Sequence, residues 1–128
     1  MRTIKFRGKR IDNGEWVYGD LEIRRKTGVC LIHTYNDDDT YKKQFEVSAD
    51  SVGQFTGFYD KNRIEIYEGD VLAWKFKRTY KVLWYIAKGR FILMNTQNRD
   101  DTMDCYFDDI EDEFEVIGNI HDMEGGTK

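Results

Sequence analysis

Proline is absent from this chain, so nothing in it marks a rigid linker. Cysteine occurs only twice, at Cys30 and Cys105, with no CxxC spacing, which excludes the usual thiolate metal and redox motifs. The two thiols are expected to be reduced and packed, because a bridge needs an oxidising compartment. Histidine also occurs twice, at His33 and His121, neither in a pattern tied to a nucleophile. Structural or surface roles are expected for both. No apolar run approaches the roughly 18 residues of a membrane span, and the opening MRTIKFRGKR carries charge in every short window. A cytoplasmic protein with no membrane partner is expected. Neither GxxxxGK[ST] nor GxGxxG occurs; Gly8, Gly14 and Gly19 fall in hairpin context, so no nucleotide cofactor is expected.

What the chain does contain is aromatic side chains, 15% of its 128 residues. Each buries roughly 150–250 Å² when packed, enough to build a core without staples. Charged residues make up 34%, yet the net charge is only −4. That balance argues against a general nucleic-acid coat and leaves room for a local basic site.

Turn signals come from Gly, Asn and Asp at close spacing, which favours hairpins. Residues 3–8 alternate, and Asn13-Gly14 predicts a type I′ hairpin turn into a strand over 15–24. That strand places Trp16, Tyr18 and Asp20 on one face and Val17, Gly19 and Leu21 on the other. After a turn at Lys26-Thr27-Gly28, strands are predicted over 29–35 and 41–47, separated by the polar Asn36-Asp37-Asp38-Asp39-Thr40. Gly53 and Gly57 suggest bends within 51–58, and residues 59–62 a further turn. A second β region alternates over 71–77, with Leu72, Trp74 and Phe76 on one face. It continues over 80–86, with Tyr80, Val82, Trp84 and Ile86 on one face. Lys88-Gly89 then turns the chain into a strand over 90–94. Phe107, Ile110 and Phe114 have the spacing of a short helix. Residues 115–120 read as a last strand and 125–128 as a frayed tail. The expected architecture is mainly β, with at most one short helix. It is one domain over 1–128, with two β-rich halves at about 1–57 and 64–120. The sheet is expected to be a small, strongly bent antiparallel barrel, SH3-like in strand count in its second half.

Three features could carry chemistry. Residues 75–90 hold Lys75, Lys77, Arg78, Lys81, Lys88 and Arg90 with no acidic residue, interleaved with aromatics. Cations that track phosphates beside rings that stack on bases suit single-stranded nucleic acid. The plainer reading is a solvated basic face over an aromatic core. Residues 100–115 hold nine carboxylates and no basic residue. They could dock a basic partner, mimic phosphates, or lie across the basic strands and neutralise them, the last being preferred. Asp60, Glu65, Glu68 and Asp70 are the nearest approach to a hard-cation site, although acidic residues also favour turns. The plainer reading, a solvated turn, is preferred.

The blocks Ile4-Lys5-Phe6-Arg7-Gly8-Lys9-Arg10 and Gly14-Glu15-Trp16-Val17-Tyr18-Gly19 resemble the opening of the YopX family of phage and prophage proteins. The blocks Val52-Gly53-Gln54-Phe55-Thr56-Gly57, Asp60-Lys61-Asn62, Ile66-Tyr67-Glu68-Gly69-Asp70-Val71 and Phe114-Glu115-Val116-Ile117-Gly118-Asn119-Ile120 are similar and follow in the family's order. The family usually has Asn-Gly where this chain has Asn62-Arg63, and Leu where it has Phe58. It often carries a proline before the Val-Gly-Gln block, where this chain has Ala49, and another after the final Asn-Ile. The resemblance implies a small, β-rich, phage-associated protein and supplies no catalytic residues. Gly53, Gln54, Thr56, Gly57, Tyr67, Glu68, Gly69, Asp70, Gly118 and Asn119 are then read as structural. The preferred expectation is a non-enzymatic accessory protein that contacts a phage or host protein. The alternatives are a nucleic-acid module using residues 75–90 and a metal-dependent hydrolase or nuclease using Glu65, Glu68 and Asp70. A homo-oligomer is compatible with short sheet edges that another copy can cover.

Overall fold

The computed structural model of the protein describes residues 2–105 and 107–122. The chain divides into two compact units, the first running to Phe55 and the second beginning at Thr56.

The first unit contains β1 (Phe6–Lys9), β2 (Trp16–Arg24), β3 (Val29–Tyr35) and β4 (Tyr41–Val47). A 3-10 turn at Ala49–Ser51 precedes β5 (Gly53–Tyr59), whose opening residues pair with β1. The strand order is β4-β3-β2-β1-β5, antiparallel at each pair. Alternation decides which side is buried. Ile32, Cys30 and Val47 form the core, with Phe6, Val17, Leu21 and Val52 packed against it. Trp16, Tyr18 and Asp20 take the opposite face, as their spacing predicts. Gly19 has its own reason to be there: a Cβ at this position would overlap the His33 carbonyl across the strand pair.

The hairpin after β1 does not use the predicted type I′ turn. Residues 11–14 form a four-residue loop, in which the Gly14 N–H donates to the Arg10 carbonyl at 3.0 Å. Only Gly14, at φ 74°, takes the left-handed conformation, and Asn13 instead accepts the Glu15 N–H on its side chain at 2.9 Å. The same loop recurs at 25–28 and 86–89, closed by Gly28 N–H to Arg24 and Gly89 N–H to Tyr85, both at 2.7–2.8 Å. In each, glycine supplies the one positive φ, and the three residues before it differ from loop to loop.

The second unit contains β6 (Glu65–Tyr67), β7 (Asp70–Ala73), β8 (Thr79–Tyr85), β9 (Arg90–Asn95) and β10 (Thr102–Asp104). The helix α1 (Phe107–Glu113) and β11 (Glu115–Asn119) follow. Its five-stranded sheet has the order β10-β9-β8-β7-β11. The core holds Ile66, Leu72, Tyr80, Val82, Leu93, Ile110 and Phe114. Of the predicted apolar face, Ile110 of α1 and Phe114 just after the helix lie in this core, and the Phe107 side chain is outside the described residues.

The chain is mainly β, but the expected barrel does not close. The sheet of the second unit ends in two different edge strands, β10 and β11, which do not pair. Between them in the chain lies α1, and Ile110 of α1 and Phe114 after it pack into the core. The strand expected over 71–77 also stops early, at Ala73. Lys75–Lys77 is a tight turn, with Phe76 at φ 59°, ψ 30° and Lys77 at φ 60°. The face predicted to hold Leu72, Trp74 and Phe76 together therefore loses Phe76, which is 88% exposed. Ile86, expected on the face of Tyr80 and Val82, lies beyond β8 and is 86% exposed. The tail predicted at 125–128 lies outside the described residues. No helix among the described residues is long and apolar enough to cross a membrane.

Candidate functional site

The six cations of residues 75–90 divide between the two ends of β8. Lys75, Lys77 and Arg78 sit at the β7–β8 turn, Lys88 and Arg90 at the β8–β9 turn, with Lys81 between them. Seven residues of strand separate the two groups by roughly 20 Å. At the first turn, Trp74 N–H donates to the Arg78 carbonyl at 2.8 Å and Arg78 N–H to the Lys75 carbonyl at 3.2 Å. Positive φ at both central residues, Phe76 and Lys77, is the geometry of a type I′ turn, here built without Asn or Gly.

The acidic segment meets the basic one at both ends. Lys75 Nζ lies 2.8 Å from Glu113 Oε1, and Arg90 Nε lies 3.0 Å from Asp104 Oδ1. Trp74 Nε1 donates to the second Glu113 oxygen at 3.0 Å, and its ring stacks on Phe114 with centroids 5.2 Å apart and planes 7° apart. The Lys75 ammonium and then the Trp74 N–H hold the Glu113 carboxyl below the usual carboxylate range. Lys77, Lys81 and Lys88 form no ion pair with a described residue. The preferred expectation, that 100–115 neutralises 75–90, describes Lys75 and Arg90 but leaves those three cations unmatched.

A groove of about 530 Å³ opens along β8, β9 and β10. Register assigns its walls. Leu83 lies opposite Ile92 and Tyr85 opposite Arg90, while Thr102 lies opposite Met94 and Asp104 opposite Ile92. These residues share the face turned away from Val82 and Leu93. The loop before β10 adds Arg99, and the β8–β9 turn adds Lys88. On the opposite face of the same strand pair, Trp84 meets Phe91 edge-on, with centroids 4.9 Å apart.

The carboxylates once considered for a metal are spread over separate structural duties. Asp60 is buried; its Oδ1 accepts the N–H groups of Asn62 and Ile64 at 2.8 and 2.9 Å, and its Oδ2 accepts that of Val116 at 2.9 Å. Asp70 is also buried and accepts the Tyr67 N–H at 2.8 Å. Glu65 accepts the Tyr67 hydroxyl at 2.9 Å, and Glu68 is half-buried in the turn between. Among the described residues no three His, Cys, Asp or Glu side chains form a group that could hold a metal ion.

The other motif residues stand at strand junctions. Gly53 and Gln54 pair with Arg7 and Phe6 of β1, and Gly57 sits at positive φ within β5. Thr56 donates its hydroxyl to the Ile66 carbonyl at 2.8 Å. Gly69 donates its N–H to the Val82 carbonyl and accepts that of Ile120, both at 2.8 Å. Gly118 flanks a register shift in β11, and the Asn119 side chain accepts the N–H groups of His121 and Asp122.

One cluster was invisible in the sequence. His33 Nε2 lies 2.7 Å from Glu22 Oε1, and its Nδ1 lies 3.1 Å from the Tyr41 hydroxyl. Three strands supply one residue each. The only signal available was register: the 25–28 loop sets Asp20 opposite His33, which puts Glu22 diagonally beside it. The cluster lies on an open sheet face. The two cysteines are free; Cys30 is buried, and burial, with Asp104 beside it, pushes the Cys105 thiol up to about 12.

The family model for the YopX protein matches residues 5–124. Among solved structures the chain is similar to the crystal structure of protein EF1440 from Enterococcus faecalis, at 20% identity and a TM-score of 0.62, with all of both chains covered. That likeness shows the fold. No curated protein matches the chain.

Proposed function

The chain belongs to the YopX family, and from that premise we propose that it is a non-enzymatic accessory protein of a phage or prophage, acting in the bacterial host cytoplasm by contacting another protein. One observation carries this reading: Phe76 is 88% exposed at the tip of a turn whose two central residues both hold positive φ. Strained backbone persists where something favours it, and here it projects a large apolar ring into solvent beside Lys77 and Arg78. Burying such a ring against a partner contributes roughly 1.5–3 kcal/mol. The partner is a phage or host protein rather than a second copy pairing along β4, because that edge strand carries Lys42 and Lys43, charges that discourage strand addition.

Capture from phage-infected host lysate, run with the wild-type chain and with Phe76→Ser, tests this. A defined protein held by the first and lost by the second is the expected result. Equal capture by both, or capture of nothing by either, overturns it.

A further inference from the structure

We propose that the groove on the outer face of β8, β9 and β10 binds single-stranded nucleic acid, independently of the Phe76 turn. Three cations, Lys88, Arg90 and Arg99, line it against one carboxylate, Asp104. Asp104 is committed to Arg90 at 3.0 Å, while Lys88 and Arg99 form no ion pair with a described residue. The groove therefore presents uncompensated positive charge even though the whole chain is acidic.

Charge alone selects an anion; the rest of the lining narrows the class. The floor is Leu83, Ile92 and Met94, and the ring of Tyr85, 41% exposed, stands at the β8 end. An occupant that uses all of this carries flat apolar groups and anions at short alternating intervals. Unpaired nucleotides do so: bases stack on aromatic rings or lie on an apolar floor while cations follow the phosphates. A duplex hides its base faces, and a peptide of acidic residues alone lacks the rings. The volume, about 530 Å³, falls within the roughly 300–1,000 Å³ of small-ligand sites, which suits one or two nucleotides seated at a time. Lys81, opposite Met94, lies on the same face further along β8 and continues the phosphate track.

The test is fluorescence anisotropy with a labelled short oligothymidylate. The same-length duplex and a labelled oligoglutamate peptide serve as comparisons. Variants are Lys88→Glu with Arg99→Glu, and Tyr85→Ala; Lys43→Glu in the first unit is the control. Each variant's thermal midpoint establishes that it is folded. The expected result is binding of the oligothymidylate in preference to the other two ligands. Affinity should fall roughly tenfold or more between about 50 and 200 mM salt, as counterions released from about three phosphates require. The double charge reversal should abolish binding, and Tyr85→Ala should weaken it roughly 5- to 100-fold, the worth of one stacked base. The control should bind as the wild type does. Absence of binding at low salt, tighter binding of the peptide or duplex, or affinity that folded variants leave unchanged overturns the proposal. Because Phe76 is retained throughout, these outcomes leave the protein-contact reading standing or falling on its own test.

Discussion

The carboxylate of Asp60 accepts the backbone N–H of Val116 at 2.9 Å, joining the loop after β5 to β11 across 56 residues of sequence. The same side chain accepts the N–H groups of Asn62 and Ile64, and it is 1% exposed. Removing it strands three donors, and an unsatisfied buried donor costs about 1–3 kcal/mol. Asp60→Ala should therefore lower stability by roughly 3 kcal/mol or more, read as a drop in the urea midpoint. Asp60→Asn should lose less, since its remaining oxygen can still serve the loop while its amide faces the Val116 donor. Equal losses would assign the whole effect to the Val116 bond and mean that the two bonds within the loop contribute little.

In the same loop Arg63 holds φ 67°. The left-handed conformation costs an L-residue roughly 1–2 kcal/mol, partly offset by the greater freedom glycine has when unfolded. Arg63→Gly should raise stability by about 0.5–1 kcal/mol in a denaturant titration. A neutral or lower midpoint would show that the Arg63 side chain contributes more than its exposed position suggests. This is the position where the YopX family usually has glycine, so the local rule that this chain departs from is also the one its backbone still obeys.

How far the sequence could be read depended on whether a pattern carried its own punctuation. Val29–Tyr35 and Tyr41–Val47 were legible to the residue, because β-formers alternate between a glycine turn and an acidic loop. The end of β7 was not. Trp74 and Phe76 continue the alternation of Leu72, while the chain turns on Lys75, Phe76 and Lys77, none of which is a turn former. The candidate site was half legible for a related reason. Composition located the cations of 75–90, but a strand between two turns sends them to opposite ends, and only register shows that Arg90 shares a face with Leu83 and Ile92. Arg99 was missed altogether, because it enters the groove from a loop outside the basic run.

Acid should destabilise the fold by a definable set of carboxylates. Glu22 is held below its ordinary value by the His33 hydrogen bond and then by Arg24, Asp101 by the Tyr80 hydroxyl and then by Asn95, and Glu113 by Lys75 and then by Trp74. A carboxyl lowered in the folded state contributes stability above its unfolded pKa, and that contribution is lost as pH falls through the folded one. The thermal midpoint should thus hold down to the usual carboxylate range near about 4 and then decline below it. Glu113→Gln should lower the midpoint at neutral pH and make the acid decline shallower, because its share of the titration is gone. A decline of unchanged steepness would assign the acid sensitivity to other carboxylates.

The turn at Lys75–Arg78 separates stability from function most sharply. Its two central residues, Phe76 and Lys77, occupy the conformation for which Asn and Gly are the favoured pair, and each left-handed residue of another type stores roughly 1–2 kcal/mol. The double variant Phe76→Asn, Lys77→Gly should therefore fold more stably, by roughly 1–2 kcal/mol at an unchanged denaturant slope. It also removes the exposed ring, so the captured partner should be lost although the protein is more stable. Gain of stability with loss of the partner would identify the strain as maintained for contact. Loss of stability would instead show that Phe76 packs against Arg78, whose guanidinium lies 6.0 Å from its ring, strongly enough to hold the turn by itself.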